Sequence, residues 1–485
     1  QFPPLSVFRG CCSMRCFAHL CGFALRYCFH ADITVGMTCE RRMVRPIGNE
    51  RIVDQVQRTL ARDLATHVGE QVLLQGWVHA LRHQGGIKFM LIRDMSGVVQ
   101  TVILKSNQAA FAIAGQLSTE SVVAVTGTVK EEKQAPGGIE LLAEAVTVLS
   151  SAEPMLPIPV IAEKGSENTD PAKRFDWRWL DLRQAEKRDI FRVWTELEAG
   201  FRDYLLENSY LQIYTPSFMS MASEGGSEVF EVKYFDKKAF LAQSPQFYKQ
   251  MAMAAGLERV FLVGPVFRAE PSFTTRHMTE FTGWDFELSF IDSHHEVMAE
   301  EEKMIVRSFQ RVRDRLHMDI DVPSTPFPSL TMAEAKQKLA QHGVANVRDG
   351  DLSPEQEREL SHIIKQETGH DFVFVTAFPI GVRPFYHMRL EDQPDLTKSF
   401  DLLYRGIEIT TGAQREHRAA ILERQALEKG VVLDTIQDYV NFFRFGCPPH
   451  GGAGIGPGRI VMALLGLGSV KEATFLPRDV RRLTP

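Results

Sequence analysis

The chain has 485 residues, 44% of them hydrophobic and 24% charged, with a formal net charge of −6. This length calls for two or three domains, and the composition is that of a globular chain rather than a disordered one. No apolar run reaches the roughly eighteen residues that a membrane-spanning helix needs, and the acidic balance excludes nucleic-acid binding through an overall positive field, so such contacts require local basic patches.

Six of the seven cysteines (Cys11, Cys12, Cys16, Cys21, Cys28 and Cys39) lie in the first 39 residues, leaving Cys447 in the body. A single body thiol fits a reducing, cytoplasmic compartment and no disulfide framework. The leader's cysteine spacings match no standard zinc pairing, and Arg15, His19 and Arg26 interrupt the apolar stretch of a signal peptide. Arg9, Arg15 and Arg26, with no acid before Asp32, are shared with organellar transit segments. The compositional break favours an over-extended reading frame with its start at Met37 or Met43, so residues 1–43 are set aside as a leader.

Residues 52–67 carry apolar side chains at helical spacing, ended by Gly69. Five strand-like runs follow, at 71–79, 87–94, 97–104, 122–130 and 139–149, separated by glycine- and serine-containing turns, with a short helix over 109–117. Five strands with a helix after the third predict an OB-type β-barrel, so 44–150 reads as one domain. The proline-punctuated stretch 151–180 reads as a hinge. A long amphipathic helix over 186–208 then opens a second, α+β domain at 181–485, in which 371–379, 400–412 and 458–468 stand out as apolar elements.

Three segments of this domain carry candidate chemistry. FRAEPSFTTRHMTEF, 267–281, is the polar loop of a hairpin whose strands are 260–267 and 281–290. Its arginines suit phosphate, because the planar guanidinium donates paired hydrogen bonds and keeps its charge. Alone, it reads equally as an edge hairpin with surface ion pairs. GIEITTGAQREH, 406–417, offers Glu408 and Thr411 as hard oxygen donors suited to magnesium and Arg415 as a carboxylate clamp, or else is a strand with polar outer positions. PPHGGAGIGPGRIVMALLGLG, 448–468, sets a glycine-rich turn before an apolar helix, which suits close approach to a nucleotide but lacks the Walker and dinucleotide signatures.

In this order and spacing the three segments resemble the signature motifs of class II aminoacyl-tRNA synthetases, most nearly the aspartyl type of archaea and eukaryotes. The first motif is the helix 186–208 leading into YLQIYTPSF, 210–218, and the others are FRAE…TTRHMTEFTGWDFE and GIGPGRIVMALLGLG. ASEGGSEVF, 222–230, and FLAQSPQFYKQ, 240–250, extend the likeness, which runs from about residue 58 to the C-terminus. The resemblance implies an N-terminal OB barrel on a class II catalytic domain with a mostly antiparallel sheet. It further implies ATP bound in a bent form, Mg2+, L-aspartate and tRNA(Asp) as partners, and a homodimer through Pro216. It leaves open whether tRNA(Asn) is charged as well.

The same resemblance implies residue roles. Arg268 and Arg459 are the catalytic cations, with Arg268 on the α-phosphate. Glu270, Arg276, His277, Met278, Glu280, Phe281, Glu408 and Gly456 complete the ATP site, the adenine lying between Phe281 and Arg459. Glu408 and Thr411 hold the metal, threonine standing where serine is usual. Glu224, Gln246, Lys249, Arg268, Thr411 and Arg415 receive aspartate, and Lys249 with Arg415 favours aspartate over asparagine, whose neutral amide would leave both cations without a partner. Arg82, Phe89 and Gln100 contact anticodon bases by stacking and hydrogen bonding, while His79 and His83 read as surface histidines. One departure is Gly458, after Pro457, where the family has an acid before the third-motif arginine. The competing readings are an asparaginyl or lysyl enzyme, a tRNA-binding paralogue without catalysis, and an ammonia-dependent asparagine synthetase, the last of which has no need of the barrel.

Overall fold

The computed structural model describes residues 57–161, 169–220, 228–272 and 274–485. The leader and the start of the expected 52–67 helix lie outside them. The chain divides after Ser150 into two compact units. Among the described residues no helix is long and apolar enough to cross a membrane.

The first unit is a closed five-stranded barrel of β1 (Gln71–Gln84), β2 (Ile87–Arg93), β3 (Val98–Leu104), β4 (Val122–Glu131) and β5 (Ile139–Ser150), in the order β1-β2-β3-β5-β4. Helix α1 (Gln108–Ala114) follows β3, its start capped by Asn107. Alternation drives closure: Val72, Leu74, Val78, Met90, Ile92, Val123 and Val125 all point into one core. The expected helix over 52–67 is corrected, since the described part is a 3-10 helix at Ala61–His67. Thr59 N is held by Leu73 O at 2.9 Å and Ala61 N by Asp94 Oδ2 at 2.8 Å, so the chain runs extended beside β1 until residue 61. His79 is also corrected: it is half-buried, and its Nδ1 accepts from Arg93 Nη1 at 2.9 Å.

In the second unit the stretch expected as a hinge contains two short helices, α2 (Pro171–Asp176) and α3 (Arg178–Asp181). Fully buried Arg178 pairs with Asp181 and donates to the carbonyls of Glu472, Thr474 and Phe475, which ties this stretch to the C-terminal segment. Residues 171–181 therefore belong to the second unit rather than to a free linker. Helix α4 (Ala185–Glu207) leads to β6 (Leu211–Gln212), and a small sheet follows, built from β7 (Phe218–Met219), β8 (Glu231–Tyr234) and β9 (Lys237–Leu241). After α5 (Gln246–Ala254) come the hairpin β10 (Arg259–Phe267) and β11 (Glu280–Ser289), then α6 (His294–Leu316), β12 (Ser329–Thr331), α7 (Met332–Gln341) and α8 (Pro354–Thr368). The chain closes with β13 (Phe372–Thr376), β14 (Ser399–Tyr404), β15 (Ile407–Gln414), α9 (Ala419–Glu428), α10 (Gln437–Arg444), β16 (His450–Ile455) and α11 (Pro457–Leu465).

Eight of these strands form one sheet in the order β12-β13-β14-β15-β16-β11-β10-β6. Only its edge pairs, β12–β13 and β10–β6, are parallel, so the expected mostly antiparallel sheet is present. Helices α4 and α6 cover one face: Val193, Leu197 and Phe201 meet Met304, Ile305 and Phe309 over Trp284, Phe286 and Ile455 of the sheet. Because side chains alternate along a strand, Asp285 and Glu287 are turned to the opposite face, where the site lies.

Candidate active site

That face carries a cavity of about 850 Å³, and Arg268, Arg415 and Arg459 all line it. Gln246, Glu270, Arg276, His277, Met278, Glu280, Phe281, Glu408, Thr411 and Gly456 line it too. Of the other expected site residues in this unit, Glu224 lies outside the described residues and Lys249 lies beneath the cavity.

The β10–β11 hairpin delivers the first group. Arg268, just past β10, places its guanidinium 5.5 Å from the Phe281 ring centre and 3.8 Å from Glu270. His277 Nδ1 meets Thr274 Oγ1 at 2.6 Å. Burial, then Arg459 and Arg276, push His277 down to about 4 despite Glu408, so its ring is neutral at pH 7.

Strand β15 delivers the second. Residues three apart on a regular strand point to opposite faces, yet Glu408 and Thr411 face each other, with Thr411 Oγ1 donating to Glu408 Oε1 at 3.2 Å. A bulge resolves this: Leu402 pairs with Thr410 and Leu403 with Glu408, leaving Ile409 as an extra residue. Arg459, in the first turn of α11, donates to Glu408 O at 2.7 Å and lies 3.6 Å from its carboxylate. Burial opposes the charge on Glu408, but Arg459, Arg383 and Arg276 outweigh it and hold the carboxyl below its usual range.

Reasoning from sequence missed Arg383, Asp401 and His387. Asp401 stands opposite Thr411 in the β14–β15 ladder and pairs with Arg383 at 2.6 Å. Burial lifts it to about 7 against the pull of Arg383, with the charge of Glu408 adding to the rise. The signal was present in FDLLYRGIEITTG: a two-residue turn at Arg405 and Gly406, both at positive φ, sets the hairpin register that brings Asp401 to Thr411. Arg383 and His387 sit in an irregular segment with no such pattern.

The far end of the cavity is built on buried charge. Arg415, 2% exposed, donates from Nε to Glu287 Oε1 at 2.9 Å, from Nη2 to Gly452 O at 2.8 Å and from Nη1 to His387 Nε2 at 3.1 Å. Since His387 accepts there, its ring is neutral, in line with a pKa that burial and then Arg415 hold well below 6.5. Lys249 is corrected as a direct substrate contact: it is fully buried, with Nζ 2.8 Å from Asp285 Oδ1, 3.3 Å from Glu287 Oε2 and 3.1 Å from Ala453 O. It braces the acids under the cavity, and of this pair Asp285 lines the wall. Gln246 Nε2 is buried and makes no hydrogen bond among the described residues.

The glycine-rich run, expected as a turn against a nucleotide, is mostly strand β16. A Cβ on Gly452 would lie 2.1 Å from Phe286 O and 2.3 Å from Glu287 Oε2, so this glycine makes room for the neighbouring strand β11 and its buried acid rather than for a ligand. At Gly458 a Cβ would stand 3.1 Å from Val470 Cγ2 and 3.6 Å from Trp194 Cζ2. The space where the family's acid would begin is filled by apolar side chains, and Arg459 is oriented by the Glu408 carbonyl instead.

In the barrel, Arg82 pairs with Phe89 and Leu91 with Gln100, so Arg82, Phe89 and Gln100 share one outer face of β1, β2 and β3. Gln100 Nε2 donates to Glu140 Oε2 at 3.1 Å. The three expected base contacts are thus together.

Comparison with known proteins places both units. Residues 170–480 match the family described as tRNA synthetases class II (D, K and N), and residues 72–149 match the OB-fold nucleic acid binding domain. The chain is 43% identical over 431 residues to an aspartate–tRNA(Asp/Asn) ligase of Aeropyrum pernix, covering 86% of this chain and 96% of that one. It is 38% identical over 426 residues to an aspartate–tRNA(Asp) ligase of Pyrococcus abyssi, covering 86% and 97%. Among solved structures, asparaginyl-tRNA synthetase from Pyrococcus horikoshii complexed with asparaginyl-adenylate superposes with a TM-score of 0.82 at 31% identity, covering 89% of this chain and 100% of that one.

Proposed function

The chain belongs to the class II tRNA synthetases of the D, K and N group, and from that premise we propose that it works as an aspartate–tRNA ligase, activating L-aspartate with ATP and passing the aspartyl group to the 3′ end of tRNA(Asp). The observation that carries this reading is the convergence of Arg268, Arg415 and Arg459, from three separate segments, on one cavity.

In the first step a carboxylate oxygen of aspartate attacks the α-phosphorus in line and the bond to pyrophosphate breaks, giving aspartyl-adenylate. Arg268 and Arg459 meet the charge that spreads over the phosphoryl oxygens. Phe281 and Arg459 hold the adenine between them, with Glu280 at its edge, and Glu270, Arg276 and His277 surround the remaining phosphates, next to Met278 and Gly456. A terminal tRNA hydroxyl then attacks the aspartyl carbonyl and AMP leaves. Positioning accounts for most of this catalysis, which needs no nucleophilic triad.

Glu408 and Thr411 offer the hard oxygens that suit Mg2+, with the Asp401 carboxylate beside them. With two protein oxygens, such an ion would be completed by phosphate oxygens and water. When bound, the ion would supply charge neutralisation to the triphosphate.

Arg415 clamps the aspartate side chain, with Gln246 and Thr411 beside it and Glu224 at the ammonium. Lys249 contributes through Asp285 and Glu287. Arg415 and the curated relatives favour aspartate over asparagine, although the P. horikoshii structure is an asparaginyl enzyme. A cytoplasmic location fits the free thiol of Cys447. A homodimer fits the exposed Leu211, Tyr214 and Phe218 around Pro216. The test is exchange of pyrophosphate into ATP with aspartate and with asparagine, followed by charging of tRNA(Asp) and tRNA(Asn). Exchange with asparagine alone would refute the substrate assignment, and charging of tRNA(Asn) would add the second acceptor named for the A. pernix relative.

A further inference from the structure

Arg276 stands in the loop joining β10 to β11, and its Nη1 donates to Oε2 of Glu357. Glu357 belongs to the start of α8, an element to which no step of the proposed reaction has been assigned. Its side chain is 6% exposed against 19% for Arg276, so the pair is largely withdrawn from solvent. Burial raises the Glu357 carboxyl, Arg276 lowers it, Glu408 raises it again and Arg459 lowers it, which sets Glu357 within electrostatic reach of the phosphate-facing side chains.

Both ends of this contact bear on its purpose. The start of α8 is firmly held: Ser353 N donates to Gln356 Oε1 at 2.9 Å, Gln356 N to Ser353 Oγ at 3.3 Å, and Gln356 Nε2 to Ala345 O at 3.0 Å. The loop around Arg276 is tied to the C-terminal segment: Thr275 O accepts from Val470 N at 2.8 Å and Ser469 Oγ at 3.1 Å, and Thr279 N donates to Arg478 O at 3.0 Å. A guanidinium carries five N–H donors. Only Nη1 is engaged here, and the others make no hydrogen bond among the described residues. A long side chain in a polar loop would lose rotamer freedom on meeting a phosphate, and fixing it beforehand reduces that loss.

We propose that Glu357 is a positioning residue for ATP: by holding one nitrogen of Arg276 from the fixed start of α8, it presents the remaining donors to the outer phosphates and to departing pyrophosphate. This rests on the reading that the cavity takes ATP. Glu357 itself touches no reacting atom.

The test uses the full chain in aspartate-dependent exchange of pyrophosphate into ATP, comparing the wild type, Glu357→Gln, Arg276→Ala and the double variant. Glu357→Gln keeps the shape and removes the charge, and should raise KM for ATP and for pyrophosphate about tenfold, near the worth of one charge-assisted hydrogen bond. KM for aspartate should not move, and in the Arg276→Ala background the second change should add nothing. An unchanged or lowered KM for ATP in Glu357→Gln would overturn the proposal, as would an equal effect with and without Arg276, which marks a merely structural role. Absence of exchange in the wild type would overturn the functional reading and this inference together; exchange in the wild type with Glu357→Gln unaffected would sink only the inference.

Discussion

Arg268 and Arg415 face the same cavity from opposite electrostatic situations. The Arg268 side chain is 40% exposed and has one long pair, with Glu270, so its removal leaves no buried charge behind. Arg268→Ala should lower kcat for exchange about 10²–10³-fold while the thermal midpoint stays put. Arg415 is buried against fully buried Glu287, and losing it leaves that carboxylate with Lys249 alone. Arg415→Ala should therefore abolish aspartate-dependent exchange and also cost up to about 3–5 kcal/mol of stability. Exchange kinetics and thermal melts on the two variants separate the cases; a normal KM for aspartate in Arg415→Ala would remove that residue from the pocket.

At the scale of elements, β15 and α6 show how a sheet serves two faces. The bulge at Ile409 turns Glu408 and Thr411 together toward the cavity, while Thr410 faces Glu301 of α6 on the covered side. Glu301 is fully buried and neither carboxyl oxygen has a hydrogen-bond partner within normal distance. Burial lifts it from 4.5 to about 8, opposed by the Thr410 hydroxyl and reinforced by Glu302 and Asp401. Between those two values the unfolded chain has lost this proton and the folded one keeps it, so stability falls as pH rises through the window and levels off above it. Glu301→Gln cannot ionise. Its thermal midpoint should fall less steeply than that of the wild type from pH 5 to 8, and equal slopes would show that Glu301 folds already ionised.

The whole molecule divides its work between two units, each with a core of its own. Phe89→Ala in the barrel should raise KM for tRNA in charging, since stacking on one base is worth about 1–3 kcal/mol, yet leave exchange without tRNA untouched. A loss of exchange would mean that the barrel face serves something other than RNA. In the second unit, Tyr214 is 84% exposed beside Phe218 at 53%. If this patch meets a second copy, Phe218→Glu should shift the protein to a monomer in sedimentation.

Local pattern was enough for much of this chain. Strand alternation and turn residues marked all five barrel strands to within a few residues, the helical period marked α4, and the arginine-rich hairpin and GIEITTG strand marked two segments that line the cavity. These are features whose physics is confined to neighbours in sequence: side-chain period, turn conformation, and local clustering of charge. Tertiary structure decided the rest. Lys249 reads as a ligand until packing seals it beneath Asp285 and Glu287; the glycines of β16 read as a nucleotide turn until those acids need their space; and Arg178 converts an apparent linker into packed structure. In each case the deciding partner lies dozens to hundreds of residues away, and whether a charge meets solvent, substrate or an opposite charge depends on which distant strand folds against it.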